Sequence, residues 1–225
     1  DNLSRGHRAA VPQGARFVHG DIGDRPALAQ TFASEEFDAV LHFASLIEAG
    51  ESMKDPAAFF RANVAYSNNV IEAAVRAGCL KFVLSSTAAI FAGSDQPLAE
   101  ETAIAPVNVY GETKLMIETM LRWNARAHGL RYACLRYFNA AGAAPGRGEA
   151  HQPESHLIPR VLAVAQGTAA SAAIYGTDYP TPDGTCIRDY IHILDLAQAH
   201  VLAVEALNDH PVLIYNLGNG QGYSV

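Results

Sequence analysis

The sequence predicts an α/β fold, a doubly wound parallel sheet with a smaller, loop-rich region laid against it. Three observations predict it. Apolar runs of strand length alternate with longer segments of helical periodicity, the pattern of parallel strands joined by right-handed helical crossovers. Polar residues follow one apolar run after another, where open α/β sheets bind their ligands. After Asn139 the texture changes to a stretch rich in Gly, Ala and Pro, followed by shorter elements.

Residues 16–21 read as a short strand ending in a polar turn at Asp21. A helix over 25–32 follows, with Pro26 in the first turn, where its missing N–H costs nothing. Residues 37–43 form an apolar run of strand length. Residues 56–77 have helical periodicity, and Gly78 is placed as their C-terminal stop. The next buried strand covers 81–85. A long helix over 108–128 ends at Gly129, and another strand covers 131–138. Residues 140–153 then read as an irregular loop, 157–167 as a helix and 172–175 as a strand. A loop over 176–185, a short strand over 190–193, a helix over 194–207 and a strand over 212–217 complete the chain. The division expected is 1–139 for the main domain and 140–225 for the smaller region, some of whose segments return to the main sheet.

Composition narrows the function classes. The chain has 225 residues and is 49% hydrophobic and 17% charged, enough for a sizeable core. Its formal net charge of −7 disfavours nucleic acid and anionic membranes as partners. It leaves open a phosphate-bearing ligand, which needs only a local Arg or a helix N-terminus. Three dispersed cysteines, Cys79, Cys134 and Cys186, are no disulfide framework, and no apolar span reaches bilayer length, so the cytoplasm is the expected compartment. The chain opens on Asp1 rather than Met and is read as a piece truncated at both ends.

Tyr110 and Lys114 carry the sharpest chemical signal. At i and i+4 on a helix, a phenol and an ammonium share one face. A tyrosine with an ordinary pKa of about 10 is a poor base at neutral pH. A nearby cation favours the phenolate and is expected to lower that pKa. The hydroxyl of Thr87 can then share a substrate proton with the phenol, giving general acid–base chemistry without a metal. Such a spacing also occurs on ordinary helix surfaces. Asp21, Ala44-Ser45, Ser85-Ser86-Thr87 and Asn139, at four successive strand ends, favour a shared cleft. Asp1 adds to this, because an acidic residue about 20 residues past a Gly-rich loop binds the adenosine ribose in dinucleotide folds. The loops 142–148 and 218–222 lack the spacing for that Gly-rich role.

The chain resembles the extended short-chain dehydrogenase/reductase superfamily, in its nucleotide-sugar epimerase branch. The resemblance rests on Asp1-Asn2-Leu3-Ser4, Gly20-Asp21-Ile22, His42-Phe43-Ala44, Gly50-Glu51-Ser52, Asn63-Val64 and Ser85-Ser86-Thr87. It continues through residues 110–114, 135–142, 176–180, 183–192 and 215–218, in unbroken order. The resemblance implies a Rossmann-like fold, NAD as cofactor, and epimerisation at C4 of a UDP-hexose through a 4-keto intermediate. Thr87, Tyr110 and Lys114 would be catalytic and no metal would take part. Asp1 and Asn2 would meet the adenosine ribose, and Asp21 and Ile22 the adenine. Phe43, Ala44 and Ser45 would line the pyrophosphate and nicotinamide ribose, Asn63 would hold the cofactor from its helix, and Phe138 would flank the nicotinamide. Asn139, His156 and Leu157 would meet the sugar diphosphate, Ala173, Ile174 and Tyr175 the uracil, and Arg188 the diphosphate. Ile47 stands where some members carry Lys, and His156 where others carry Asn.

The resemblance also implies a homodimer built on helices 57–77 and 108–128, with Phe59, Tyr66, Met116 and Met120 as exposed candidates, against the alternative of core packing. Another UDP-sugar as substrate (xylose, arabinose or an N-acetylhexosamine) and a non-catalytic NAD-binding relative stay open. A 4,6-dehydratase is disfavoured, because Ala88 and Ala89 stand where that reaction places a further acid and base. The isolated chain is expected to be inactive for want of the Gly-rich loop.

Overall fold

The computed structural model describes residues 1–94 and 96–225. In chain order its main elements are α1 (Arg25–Ala33), β1 (Val40–His42), α2 (Ala49–Ser52), α3 (Pro56–Phe59), α4 (Tyr66–Arg76), β2 (Lys81–Thr87) and α5 (Val109–His128). They continue with β3 (Arg131–Tyr137), β4 (Asn139–Ala141), α6 (Leu157–Ala165), β5 (Ile187–His192), α7 (Ile193–Ala206), β6 (Val212–Leu217) and β7 (Gly222–Ser224).

The main sheet has the order β1-β2-β3-β6, and every pair in it is parallel. Alternation along the strands divides the core into two layers. Phe82 and Leu84 of β2, with Tyr132 and Cys134 of β3, pack against Val70 and Ile71 of α4 and Ile117 and Leu121 of α5. The intervening residues Val83, Ala133 and Leu135 point to the other face and meet Ala203 and Leu207 beside α7. Strands buried on both faces read as continuous apolar runs, which is why 81–85 and 131–138 were legible. Each fully buried side chain of this size contributes about 1.5–3 kcal/mol. This is the Rossmann-like architecture expected of the sequence. The second sheet, β4-β5-β7, starts two residues after β3 ends.

Helix ends follow local chemistry. Asp24 caps α1 through the Ala27 N–H, and Asn108 caps α5 through the Gly111 N–H at 2.8 Å. Gly129 ends α5 in the left-handed region at φ 71°, where a residue with a Cβ is strained.

Several sequence expectations need correction. Residues 16–21 form no strand: their main-chain bonds to the chain start are Gly20 N–H to Asp1 C=O and the Asp1 amino group to Val18 C=O, too few for a ladder. Residues 172–175 form no strand either, and Ile174 and Tyr175 are largely exposed with no neighbouring strand to pair with. The run 37–43 yields only three strand residues. Ser86 and Thr87 lie inside β2 rather than beyond it. The helix over 56–77 is continuous but opens into a wide π turn over Phe60–Ala65. Short α2 and edge strand β7 carry too little periodicity to be read from sequence. Of the four candidate interface residues, Phe59 is buried, Tyr66 and Met120 are half-buried and only Met116 is exposed. On that stretch Phe60 rather than Phe59 faces out.

Candidate active site

Tyr110 sits in the first turn of α5, seated from two sides. The Ser52 hydroxyl accepts from the Tyr110 N–H at 3.1 Å, and itself donates to the Ala49 carbonyl. Gly111 allows the second contact: a Cβ there would lie 2.2 Å from the Ala89 carbonyl oxygen. Only glycine lets the helix start press against the turn that follows Thr87. The phenol therefore faces Thr87 at the C-terminal end of β2.

Lys114, one turn on, is 1% exposed, and its ammonium donates to the Ser85 carbonyl at 2.8 Å. Its Nζ lies 5.9 Å from the centre of the Tyr110 ring. Burial lowers the Lys114 pKa to about 7, because the ammonium has lost its hydration. Burial raises the Tyr110 pKa, and hydrogen bonding from Thr87 pulls it down without overcoming that. The expected lowering of the phenol by Lys114 is therefore not what results. Lys114 is buried and Tyr110 half-buried, desolvation favours the neutral form of each, and the lysine is only partly charged near neutral pH.

His42, at the end of β1, is buried and bonds the Ser67 hydroxyl at 2.7 Å. Burial, helped by the Lys114 charge, holds its pKa at about 3, so the ring is neutral. Beyond it Phe43 is 56% exposed, unusual for a phenylalanine beside a core. Its ring stacks on His200 of α7 at 4.7 Å. The His200 ring takes the Leu196 carbonyl at 2.7 Å on Nδ1 and the Tyr137 hydroxyl at 2.5 Å on Nε2. Burial pushes the Tyr137 phenol up to about 12, so it stays protonated and donates. Ala44 is exposed and Ser45 half-buried in the loop beyond β1.

Asn63 is fully buried in the π turn. It accepts from Leu46 N–H, donates to Leu46 C=O, and donates to the Thr113 hydroxyl at 3.0 Å. Its side chain is spent on holding the loop after Ser45 against α5. At the chain start Asn2 donates to Asp21 at 2.7 Å, while Asp1 and Asp21 accept from the N–H groups of Leu3 and Gly23. These polar groups are exposed, and Ile22 beside them packs on the core edge.

The remaining sequence-predicted residues lie on the second sheet and its loops. Phe138 is half-buried, and the Cβ that Gly218 lacks would come within 2.9 Å of its ring. Asn139 donates to the Asp189 carbonyl at 2.7 Å. The Asp189 carboxylate accepts from the N–H groups of Asn219 and Gly220, which ties β5 to the end of β6. A cleft of about 610 Å³ lies here, lined among others by Gly142, Tyr190, His192 and Asn219. A smaller groove of about 300 Å³ between α1 and α4 is remote from the acid–base residues. Arg188 is exposed, and its guanidinium has no ion-pair partner among the described residues. His156 and Leu157 stand at the start of α6, with the His156 ring held by Glu154 at 2.8 Å. Glu149, Glu154 and His156 bring ligand-type atoms within 4.8 Å of one another. Ala173, Ile174 and Tyr175 are exposed on an extended segment, not joined to the acid–base group.

Sequence reasoning missed three contributors: Ser52, the Tyr137–His200 pair, and a buried ion pair between Glu118 and Arg136. Glu118 at i+4 from Lys114 was the available signal, since it put a carboxylate on the face that already carried Tyr110 and Lys114.

Comparisons with known proteins bear on family and fold. The profile of the NAD dependent epimerase/dehydratase family matches residues 1–218. The UDP-glucose 4-epimerase of Halalkalibacterium halodurans is 49% identical over 229 residues, spanning 100% of this chain and 68% of its own length. The solved UDP-glucose 4-epimerase from Brucella ovis in complex with NAD superposes with a TM-score of 0.95 at 47% identity, covering 100% of this chain and 70% of that one. The Bifidobacterium longum UDP-glucose 4-epimerase in complex with NAD+ and UDP gives a TM-score of 0.94 at 34% identity, covering 100% and 71%.

Proposed function

The chain belongs to the NAD dependent epimerase/dehydratase family, and from that premise we propose that it epimerises C4 of a UDP-hexose, interconverting UDP-glucose and UDP-galactose through a 4-keto intermediate. The observation that carries the proposal is the buried group Thr87, Tyr110 and Lys114 at the C-terminal end of β2.

NAD, when bound, would supply the hydride chemistry at C4, as acceptor and then as donor. The residues present fit such a cofactor. Phe43 offers a partly exposed ring backed by His200 and Ala44 an exposed position at a strand end, and Asp1, Asn2 and Asp21 form a polar edge suited to a ribose and adenine beside Ile22. Asn63 serves the same end by fixing the loop that follows Ser45, and Phe138 would border the nicotinamide.

Tyr110 removes the proton from the 4-hydroxyl and returns it to the same oxygen after the 4-keto sugar has turned over in the pocket. Charge on Lys114 favours the phenolate, and a lysine that titrates near neutrality gains or loses that charge at little cost. Thr87 shares the proton through its hydroxyl, which also accepts from the Ala89 N–H at 3.1 Å and is thereby aimed. Ala88 and Ala89 offer only methyl groups, so elimination of the 6-hydroxyl has no acid or base here. In the smaller region, 140–225, Asn139, His156 and Leu157 meet the sugar diphosphate. Ala173, Ile174 and Tyr175 border the uracil, and the unpaired fork of Arg188 suits phosphate oxygens.

We further propose a homodimer through the helices 57–77 and 108–128, supported by the exposed Phe60, Met116 and Trp123 on those segments. The three thiols are free, as suits the reducing cytoplasm, and no described helix is long and apolar enough to cross a membrane.

The test is a product assay, run on the full-length protein rather than on the isolated chain, with UDP-glucose, UDP-xylose and UDP-N-acetylglucosamine side by side. Formation of UDP-galactose fastest is the expected result. Turnover of only one of the others moves the reading to another 4-epimerase, and a folded, NAD-binding protein that turns over none of them refutes it.

A further inference from the structure

Glu118 lies at 7% exposure and Arg136 at 3%, so their ion pair is withdrawn from water. The pair is bidentate: Arg136 Nε donates to Glu118 Oε1 at 3.1 Å and Nη2 to Oε2 at 2.8 Å. Ser86 donates to the same carboxylate at 2.6 Å, and the third guanidinium nitrogen reaches the Glu100 carbonyl. Burying such a pair is rarely a net gain in stability over apolar side chains of similar size, so its presence calls for a geometric reason.

The position supplies one. Ser86 and Arg136 face each other across β2 and β3, in the register immediately before Thr87 and Tyr137. Tyr110, Lys114 and Glu118 follow at four-residue intervals on the inner face of α5. Lys114 is tied to Ser85 and Glu118 to Ser86, so one helix face is stitched to two consecutive residues of β2. A helix held by apolar packing alone can slip in rotation, whereas a forked ion pair admits one orientation.

We propose that Glu118, gripped by Ser86 and Arg136, is a positioning residue that sets the rotation of α5 and so places Tyr110 and Lys114 against Thr87. The inference rests on the acid–base reading of those three residues, but it can be measured without turnover. Lys54, Lys81 and Lys114 are the only lysines in the chain, so the side-chain ammonium signals can be assigned and titrated by NMR. Two charge-neutral changes test it: Ser86→Ala, and the double replacement Glu118→Leu with Arg136→Met. Neither alters the net charge near Lys114, where His42 and Tyr110 are the titratable neighbours.

If the clamp sets the helix, both variants let water reach Lys114 and its titration midpoint rises by about one unit or more. In the same variants kcat falls, on the order of 10²-fold for the double change, as expected for an error of about 1 Å in placement. KM stays within about threefold, since binding groups are untouched. An unmoved Lys114 titration together with wild-type kcat, in folded protein, overturns the inference. Should the double variant fail to fold, Ser86→Ala decides on the same two readouts. A Lys114 midpoint that moves in protein without epimerase activity upholds the positioning role and refutes the function above instead.

Discussion

The two halves of the site are built differently. Around β2, α5 and β3 almost every polar side chain that matters is buried and engaged: Lys114 with Ser85, Glu118 with Ser86 and Arg136, Asn63 with Leu46 and Thr113. From Tyr137 to His192, by contrast, Thr185 is the sole buried residue, and α6 has none. That second half hangs on a few ties, such as Asn139 to Asp189 and Asp189 to the backbone after β6. A reaction that moves protons by fractions of an ångström needs rigid placement. Under the proposed function, recognition of a long, flexible nucleotide sugar would fall to exposed groups on a lighter frame.

Changes in the two halves are therefore expected to fail in different currencies. Tyr110→Phe keeps the ring and removes the proton carrier. Steady-state kinetics should show kcat lower by roughly 10³-fold with KM little changed. A near-normal kcat breaks the assignment of chemistry to the packed half. Arg136→Met strands the Glu118 carboxylate in the core and should cost about 3–5 kcal/mol in a denaturant titration. The exposed pair Arg16–Glu35 sets the contrast, since Arg16→Met should cost only about 0–1 kcal/mol.

Lys114 gives the packed half a pH signature. Its folded pKa is about 7 against an ordinary 10.5, so between these values the unfolded chain holds a proton that the folded chain lacks. Stability must then rise with pH from 7 upward, by about 1.4 kcal/mol per unit at most. Above about pH 10 the effect is opposed, because Tyr110 and Tyr137 keep their protons longer folded than unfolded. Urea unfolding between pH 7 and 9 should show the rise, and Lys114→Met should abolish it. Arg188→Ala, in the open half, should raise KM for the nucleotide sugar about 10- to 100-fold, the loss of one or two charged hydrogen bonds. Its stability should shift by no more than about 0.5 kcal/mol. A large loss of stability there would show that the second half is not the light frame described.

The same division explains what the sequence could tell. Strands buried on both faces, such as β2 and β3, announce themselves as apolar runs, and Asn108 and Gly129 mark both ends of α5 in plain chemistry. That Tyr110 and Lys114 share a helix face was legible from one spacing. Their pKa values were not, because burial, which outweighs the neighbouring charge, belongs to the folded molecule. Residues 16–21 and 172–175 have strand-like composition, but a strand needs a partner, and pairing is not written in a local run. The π turn at Phe60–Ala65 and the grip of Asn63 on Leu46 arise from packing between segments far apart in sequence. So does the Glu118–Arg136 pair, whose members are 18 positions apart and meet only once α5 folds back on the sheet.

The central claim is reversible oxidation at C4 within one buried site. UDP-galactose carrying deuterium at C4 tests it most directly. Retention of the label at C4 of the UDP-glucose formed is the predicted result, since the hydride removed is the one returned. Loss of the label to solvent during interconversion, or no interconversion by the folded full-length protein supplied with NAD, would contradict it.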